Sequence, residues 1–189
     1  MLLMTSHTSL IAATHIAALG ECAFKLSDEY DGSLSVTEQN TPKLANYYAT
    51  FPPRASEPIR ARISFSCESA TTETFLNEAR IILSAGQWFL DPPQHEAPAS
   101  GRVLHILQGR RWTGGGTTLD QTDGEKDRRT RSFGFCIPHG MYALCGRAHT
   151  VGYVNRPESS VLPQVIQILE SIKFVDPPAS VPSAQFSGQ

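Results

Sequence analysis

Alternating apolar and polar residues mark one strand of this chain more clearly than any other. Between positions 59 and 67, isoleucine, alanine, phenylalanine and cysteine take every second place, with arginine or serine between them. A period of two residues is typical of a strand with one face in the core and the other in solvent. The segment therefore predicts a half-buried β-strand. Its solvent-facing residues are Arg60, Arg62, Ser64 and Ser66.

The pattern on either side of His139-Gly140 predicts a β-hairpin. Apolar residues alternate along positions 133–137, and a returning strand follows over positions 141–149. The tight turn is expected at His139-Gly140, because glycine readily adopts the conformations that short turns need.

Two amphipathic helices are predicted. The first begins at a cap on Thr71 or Thr72 and ends at Gly86. The second begins at Ser160, which leaves Pro163 in the first turn, where its missing N–H costs least, and a short exit strand follows it. The apolar residues at helical spacing are Phe75, Leu76, Ala79, Ile82 and Leu83 in the first helix and Val161, Leu162, Val165, Ile166, Ile168, Leu169 and Ile172 in the second.

The remaining segments are less regular. Residues 39–58 are rich in proline and threonine and predict an irregular connection. Residues 102–108 predict a central strand, because both of its faces are apolar. Residues 114–129 hold three consecutive glycines and seven charged residues, which predicts a mobile excursion between strands.

Together these elements predict an α+β fold. We expect an antiparallel β-sheet of about five to seven strands, packed by two principal helices that cover one or both of its faces. Residues 21–176 are expected to form a single α+β domain, followed by a disordered tail at residues 177–189. Residues 1–20 predict either an N-terminal helix or a weak signal-like segment.

The N-terminal segment leaves both interpretations open. Positions 10–20 are moderately apolar and end in Ala18-Leu19-Gly20, which resembles a signal-peptidase site. No lysine or arginine precedes this run and His15 interrupts it, which favours an ordinary packed helix. A cytoplasmic location is accordingly favoured over a periplasmic one.

Charge and hydropathy argue against two classes of partner. The chain carries a formal net charge of −2, which gives no long-range field for nucleic acid or an anionic membrane. The basic residues at 126–131 are interrupted by acid and predict a solvated loop. No apolar run reaches the roughly eighteen residues that a membrane span needs. We therefore predict no nucleic-acid partner and no membrane span.

No residue spacing in the chain matches a strong catalytic or metal-binding motif. The histidines lack HxxxH and HExxH spacings, the cysteines lack a CxxC pair, and there is no GxSxG segment. The glycines at 114–116 lack the lysine that a phosphate-binding loop needs. The sequence therefore predicts a protein that is not an enzyme, with no catalytic residue, no bound metal and no cofactor.

The sequence does not determine whether the four cysteines are free thiols or form disulfides. In a hairpin that turns at His139-Gly140, Cys136 is directly opposite Ala143, and Cys145 is its diagonal neighbour. A disulfide between Cys136 and Cys145 is then a candidate with imperfect geometry, and buried free thiols fit equally well. In an exported protein, pairing of Cys22 with Cys67 or of Cys136 with Cys145 is favoured.

Two groups of residues indicate a surface for binding a partner. Arg110, Arg111 and Trp112 stand beside the glycine-rich segment, and arginine and tryptophan are typical of interaction hot spots. An anchored loop explains this group equally well. His139 in the predicted turn and Arg147 beyond it are further candidates. The expected contact surface is the loop over residues 109–131 together with the His139 turn.

Two blocks near the C-terminus resemble known families. Residues 133–147 read FGFCIPHGMYALCGR, and residues 162–174 read LPQVIQILESIKF. They are similar to the end of small bacterial proteins with a PsbP/Mog1-like α/β sandwich, and to immunity proteins encoded beside type VI secretion effectors. The resemblance covers about the last third of the chain. It implies the fold and brings no catalytic residues with it.

The resemblance implies a non-enzymatic protein that binds a cognate bacterial toxin of type VI secretion and occludes its active site. Such inhibition needs only a complementary surface, which fits a chain without convergent catalytic groups. Two alternatives stay open. One is a chaperone or adaptor that shields an apolar segment of an effector. The other is an enzyme with Cys136 or Cys145 as nucleophile and His139 or His149 as base.

Overall fold

The computed structural model describes residues 12–37, 43–52, 58–91 and 102–175. Within those ranges the chain forms twelve β-strands and two α-helices. The strands are β1 (Ala13–Leu19), β2 (Cys22–Asp28), β3 (Ser33–Thr37), β4 (Leu44–Phe51), β5 (Ile59–Ser69), β6 (Ile81–Ser84), β7 (Gln87–Leu90), β8 (Leu104–Gly109), β9 (Trp112–Asp120), β10 (Thr130–His139), β11 (Tyr142–Tyr153) and β12 (Lys173–Phe174). The helices are α1 (Thr72–Ala79) and α2 (Leu162–Glu170).

Seven strands form the main sheet, in the order β3-β4-β5-β11-β10-β9-β8. A smaller sheet has the order β1-β2-β12, and β6 pairs with β7 in a separate hairpin. Every one of these strand pairs is antiparallel. An antiparallel sheet packed by two helices is the α+β class that the sequence predicts, and this prediction is confirmed.

The two faces of the main sheet pack against different layers. The smaller sheet and α2 cover the inner face, where Phe24, Phe65 and Phe135 are fully buried. The rings of Phe24 and Phe65 belong to different sheets and their centroids lie 5.1 Å apart, so the sheets pack directly on each other. On the outer face, α1 and the β6–β7 hairpin cover part of the sheet through Phe75 and Trp88.

Both cysteine pairs that the sequence offers are disulfides. Cys22 on β2 is joined to Cys67 on β5, with Cα atoms 5.5 Å apart, and this bond links the two sheets. Cys136 on β10 is joined to Cys145 on β11. None of the four cysteines of the chain is a free thiol.

The register of the β10–β11 hairpin differs from the prediction. β10 continues through His139, so the turn is Gly140-Met141 and not His139-Gly140. Gly140 takes a φ of 63°, which glycine adopts without steric cost. Cys136 therefore lies directly opposite Cys145, with Cα atoms 4.1 Å apart, and not opposite Ala143.

The three consecutive glycines lie in a buried strand, and the predicted mobile excursion over residues 114–129 is wrong for this part. β9 pairs with β8 on one side and with β10 on the other. A side chain at Gly115 would meet the Trp88 ring, and one at Gly116 would meet the Phe133 ring. Glycine is needed here because neighbouring rings approach the backbone closely, and not because the segment moves.

Gly116→Ala is expected to lower the free energy of unfolding by about 2 kcal/mol, because overpacking a filled core is destabilising. The added Cβ would lie 2.7 Å from the carbonyl oxygen of Gly134, which is fixed backbone. Urea unfolding followed by tryptophan fluorescence measures the change. Thr113→Ala, at an exposed position of the same strand, is the control, with an expected loss below about 1 kcal/mol. Equal losses in the two variants would contradict the explanation.

Two other predicted segments differ from the structure. The expected irregular connection over residues 39–58 contains the regular strand β4, in which Tyr47 and Phe51 are fully buried. Thr71 caps α1 as predicted, but the helix ends at Ala79, because Arg80 takes a left-handed φ of 56°. The following isoleucines and leucine form β6, since their β-hairpin partner β7 lies just beyond a two-residue turn.

Strand β8 lies at the edge of the main sheet and is not central as predicted. Leu107 is fully buried on its inner side, whereas Ile106 and the preceding Val103 are about half exposed, at 45% and 50%. Apolar residues on both faces of a strand therefore do not require a central position here.

Helix α2 buries the predicted face but begins one residue later than expected. Val165, Ile168 and Leu169 are buried, which confirms the helical spacing. Val161, and not Ser160, is the residue before the first helical turn. The Ser160 hydroxyl still accepts a long hydrogen bond from the Leu162 N–H, at 3.4 Å.

The prediction of an N-terminal helix over residues 1–20 is wrong for residues 13–19. Residues 13–19 form β1, which pairs along its length with β2 and buries Ala17 and Leu19. The alternation of these buried positions fits a strand better than a helix. The folded domain therefore begins before residue 21. Residues 1–11 and the predicted tail at 177–189 lie outside the described residues.

Candidate functional site

A groove of about 560 Å³ opens at one end of the molecule. It lies where β12 meets the β8–β9 turn and the β10–β11 turn. The residues that line it are Lys25, Arg110, Arg111, Trp112, Pro138, His139, Gly140, Ile172, Lys173, Phe174 and Val175.

The β8–β9 turn supplies two of the groove's cations. Gly109 pairs with Trp112, so Arg110 and Arg111 form the two-residue turn between the strands and are both exposed. The Trp112 indole Nε1–H donates a hydrogen bond of 3.0 Å to the Ile172 carbonyl oxygen. This bond fixes the β8–β9 turn against the residue that precedes β12, so the backbone that carries the two arginines has a fixed position.

An aromatic stack forms a second link across the groove. The rings of His139 and Phe174 lie parallel, with centroids 4.1 Å apart and planes inclined by 5°. His139 belongs to the end of β10, and Phe174 is held on β12 by pairing with Phe24. The hairpin tip and the smaller sheet are therefore joined by two flat rings that a partner can contact.

The groove carries concentrated positive charge. Lys25 and Lys173 are directly opposite each other on neighbouring strands, and Arg110 and Arg111 complete a set of four cations. No aspartate or glutamate is among the lining residues, and none of the three ion pairs found in the described ranges includes these cations. Because like charges repel, such a cluster favours an acidic ligand that neutralises it.

The structure brings together four of the five predicted contact residues. Arg110, Arg111, Trp112 and His139 all line the groove. Arg147 does not, because it lies on the outer face of the main sheet, opposite Ser64 on β5. The prediction that residues 109–131 form one loop is wrong for residues 112–120, which form β9, and for residues 130–131, which begin β10.

The sequence analysis missed five groove residues, and three of them, Lys25, Lys173 and Phe174, supply charge or an aromatic ring. Lys25, Lys173 and Phe174 reach the groove only because β12 pairs with β2 across most of the chain length. The usable signal was the alternation along β2, which places Lys25 outward while the neighbouring Phe24 faces the core. The strand pairing itself has no local signature.

The arrangement offers no thiolate or metal chemistry in the described parts of the chain. All four cysteines are in disulfides, so the predicted alternative of a cysteine nucleophile lacks its thiolate in this structure. Within the same residues, no group of three histidine, cysteine or carboxylate side chains is placed to hold a metal ion.

His149 is the histidine closest to a serine hydroxyl, but its contacts are not those of a catalytic base. Its Nε2 accepts a hydrogen bond of 2.9 Å from Arg62, since a guanidinium can only donate. Burial, followed by the charges of Arg62 and Arg147, lowers the pKa of His149 below its ordinary value. The Ser64 hydroxyl lies 3.3 Å from the same Nε2 atom and donates a hydrogen bond to the Arg147 carbonyl oxygen at 3.2 Å. Among the described residues no carboxylate is paired with His149, and the Nε2 lone pair already accepts from Arg62.

Neither helix in the described ranges has the length and apolar character needed to cross a membrane. Comparison with known proteins finds no similarity: no family model, curated protein or solved structure matches this chain. What the protein binds is therefore inferred from the chemistry of the groove.

Proposed function

We propose that this protein is a non-enzymatic binding module that neutralises a cognate bacterial toxin of type VI secretion. In this proposal it is an immunity protein whose groove contacts an acidic surface at the toxin's active site and occludes it. The observation that carries the proposal is a set of four cations beside Trp112 and the His139–Phe174 stack, none of which forms an ion pair with another described residue. Arginine and aromatic side chains in one recess are the composition of an interface hot spot.

The hairpin tip beside the groove supports this proposal. Met141 is 80% exposed and directly follows Gly140 of the groove lining, so an apolar side chain projects next to the cations. A flexible methionine adapts to the shape of a partner surface, and the surrounding charges steer an acidic partner into place. Occlusion of a concave active site needs such a projecting element and no catalytic group.

We also propose that the fold is a PsbP/Mog1-like sandwich. Two observations support this: the inner face of the main antiparallel sheet packs on a second layer, and that layer includes α2, which lies in the segment that resembles those proteins.

We also infer that the protein works in an oxidising compartment, which differs from the cytoplasmic location that the sequence favours. Two disulfides account for all four cysteines, and such bonds persist in secreted and periplasmic proteins.

The adaptor alternative has one observation in its favour. Val103 and Ile106 are about half exposed along the edge strand β8, and Phe89 and Leu90 on the adjacent hairpin strand β7 are also exposed. An apolar sheet edge is suited to adding a strand from an effector segment. Binding of one isolated apolar peptide with the affinity of the whole effector would favour the adaptor over the immunity protein.

Arg110→Glu/Arg111→Glu is expected to weaken binding to the cognate toxin by about 100-fold or more, because two attractive contacts become repulsive. The partner tested is the protein that this chain captures from its native lysate and that is toxic when expressed alone. Co-expression growth assays measure neutralisation, and calorimetry with a catalytically inactive toxin measures affinity.

Lys126→Glu/Arg128→Glu makes the same charge change on the exposed segment after β9 and is the matched control. It is expected to neutralise the toxin as well as the wild type. If the groove variant also retained full neutralisation and affinity, the groove would not be the toxin-binding site.

A further inference from the structure

Part of the outer face of the main sheet is left uncovered by α1 and the β6–β7 hairpin. We call it the open face. It is formed by residues of β4, β5 and β11 whose side chains alternate with the buried ones, namely Tyr48, Arg60, Arg62, Ser64, Arg147 and His149.

Strand pairing brings these residues together. Ser64 on β5 is opposite Arg147 on β11, and Tyr48 on β4 is opposite Arg62. Arg60 lies two positions before Arg62 on β5 and is therefore on the same face. The open face is therefore built on three neighbouring strands of the largest sheet, which hold its side chains in a fixed pattern.

The arginines of the open face are exposed, and no described residue forms an ion pair with them. The three ion pairs formed by the described residues involve other cations, so no carboxylate in those ranges lies within 4 Å of Arg60, Arg62 or Arg147. Arg62 contacts a neutral acceptor instead, the Nε2 atom of His149 at 2.9 Å. This contact orients the guanidinium and leaves its charge uncompensated.

A purely structural role does not account for this arrangement. Arginines that stabilise a sheet surface are expected to be opposite acids on adjacent strands, since cross-strand pairs of opposite charge are favourable. Here Arg60 and Arg62 are on one strand and Arg147 is on the next, with serine, tyrosine and histidine between them. Glu68 and Glu78 line one recess with Arg147 and His149, although neither forms an ion pair with Arg147. The recess beside Arg60 is lined by no acidic residue, so positive charge is concentrated at the Arg60 and Arg62 end of the open face.

We propose that the open face is a second interaction surface, which binds an acidic surface of a partner protein. Charge complementarity determines the sign of the partner, and arginine with tyrosine supplies contacts that are typical of protein interfaces. A single-stranded nucleic acid is less favoured, because such ligands need a series of aromatic side chains for base stacking, and Tyr48 is the one aromatic ring among these six residues apart from the imidazole. The groove is a separate site at the end of the molecule.

The test uses the full chain and short poly-L-glutamate as the acidic polypeptide probe. The groove is disabled by Arg110→Glu/Arg111→Glu, so that its cations do not contribute. In an NMR titration at low salt we expect saturable chemical-shift changes at amides of β5 and β11 around the open face. Adding Arg62→Glu/Arg147→Glu is expected to weaken this binding at least tenfold, whereas Lys126→Glu/Arg128→Glu is expected to leave it unchanged.

Each other outcome would overturn the proposal. Shift changes away from the open face, or none that saturate, would show that the arginines do not form a site. Tighter binding of a thymidine oligonucleotide of equal length to the same face would assign it to nucleic acid. Arg62→Gln/Arg147→Gln, which removes charge without adding acid, replaces the double glutamate variant if the latter does not fold by circular dichroism.

Discussion

Replacing Cys22 and Cys67 together with alanine is expected to lower the free energy of unfolding by about 4 kcal/mol. Their disulfide connects residues 45 positions apart, and a cross-link over a loop of this length removes much conformational freedom from the unfolded chain. The bond also joins β2 of the smaller sheet to β5 of the main sheet. Its loss is therefore expected to affect the packing of the two sheets as well as the unfolded state.

Cys136→Ala/Cys145→Ala is the matched control for this prediction. Its disulfide connects residues only 9 positions apart within one hairpin, so the same reasoning gives a loss of about 2.5 kcal/mol. Guanidinium unfolding followed by tryptophan fluorescence, without reductant, measures both. An equal or larger loss for the hairpin pair would show that loop length does not govern the stabilisation.

The elements that the sequence predicts correctly are those with strong local patterns. Strand β5 alternates from Ile59 to Phe65 because one face is in the core, although Ser66, which the pattern places in solvent, is buried. The buried face of α2 repeats at helical spacing for the same reason. The smaller sheet has no comparable signal. β1 is rich in alanine, which is compatible with a helix, and becomes a strand because it pairs with β2 and packs on the main sheet.

Tertiary packing also explains why the prediction of a mobile segment at Gly114, Gly115 and Gly116 is wrong. In isolation, the segment at 114–116 is typical of a loop, because glycine weakens strands. In the fold, Trp88 and Phe133 come from distant positions and occupy the space above and below it. No local pattern could predict which rings would lie there.

Only the residues of the candidate site that lie in or beside hairpin turns could be predicted from local sequence. Arg110 and Arg111 form one hairpin turn, and Trp112 and His139 are the strand residues next to two such turns, where local sequence indicates exposure. Lys25, Lys173 and Phe174 join them only through pairing of distant strands, and local sequence does not encode that. Arg147 could have been separated from the groove by alternation along β11, which places it on the face opposite to buried Leu144 and Ala148.

Asp28→Asn is expected to destabilise the protein by about 3 kcal/mol at neutral pH, because a buried hydrogen-bonded charge is replaced by an amide that cannot accept all its bonds. Asp28 is only 2% exposed. Its carboxylate accepts hydrogen bonds from the Tyr47 hydroxyl at 2.6 Å and from the Tyr30 and Gly32 N–H groups at 2.7 and 2.6 Å, and its Oδ2 lies 3.0 Å from His15 Nε2. The carboxylate thereby ties β2 to β4 and to the chain leading into β3.

Tyr47 depends on the same carboxylate. Its side chain is fully buried, and burial together with the hydrogen bond to Asp28 raises the pKa of Tyr47 far above its ordinary value. The hydroxyl therefore stays protonated and continues to donate over the whole experimental pH range. The Tyr47 hydroxyl and the Tyr30 N–H both donate to Oδ1, whereas the Gly32 N–H donates to Oδ2. In the Asp28→Asn variant an NH₂ group replaces one of these oxygens and faces a donor, which is why the expected loss exceeds that of one ordinary hydrogen bond.

The contribution of Asp28 should depend on pH in a defined direction. Burial alone would raise the pKa of Asp28, but the hydrogen bonds from Tyr47, Tyr30, His15 and Gly32 outweigh it and hold the pKa below its ordinary value. A carboxyl whose pKa is lower in the folded state stabilises the fold above its unfolded pKa, about 3.9, and loses that contribution as pH falls through the folded pKa. The difference in unfolding free energy between wild type and Asp28→Asn should therefore shrink below about pH 4.

Unfolding free energies measured by urea titration from pH 7 to pH 2 test this expectation. Asp31→Asn is the control, because it removes the same charge from an exposed residue, and asparagine tolerates the left-handed φ of 51° found there. The control is expected to stay close to the wild type at every pH. A difference for Asp28→Asn that is constant down to pH 2 would mean that side-chain shape, and not the buried charge, makes Asp28 important.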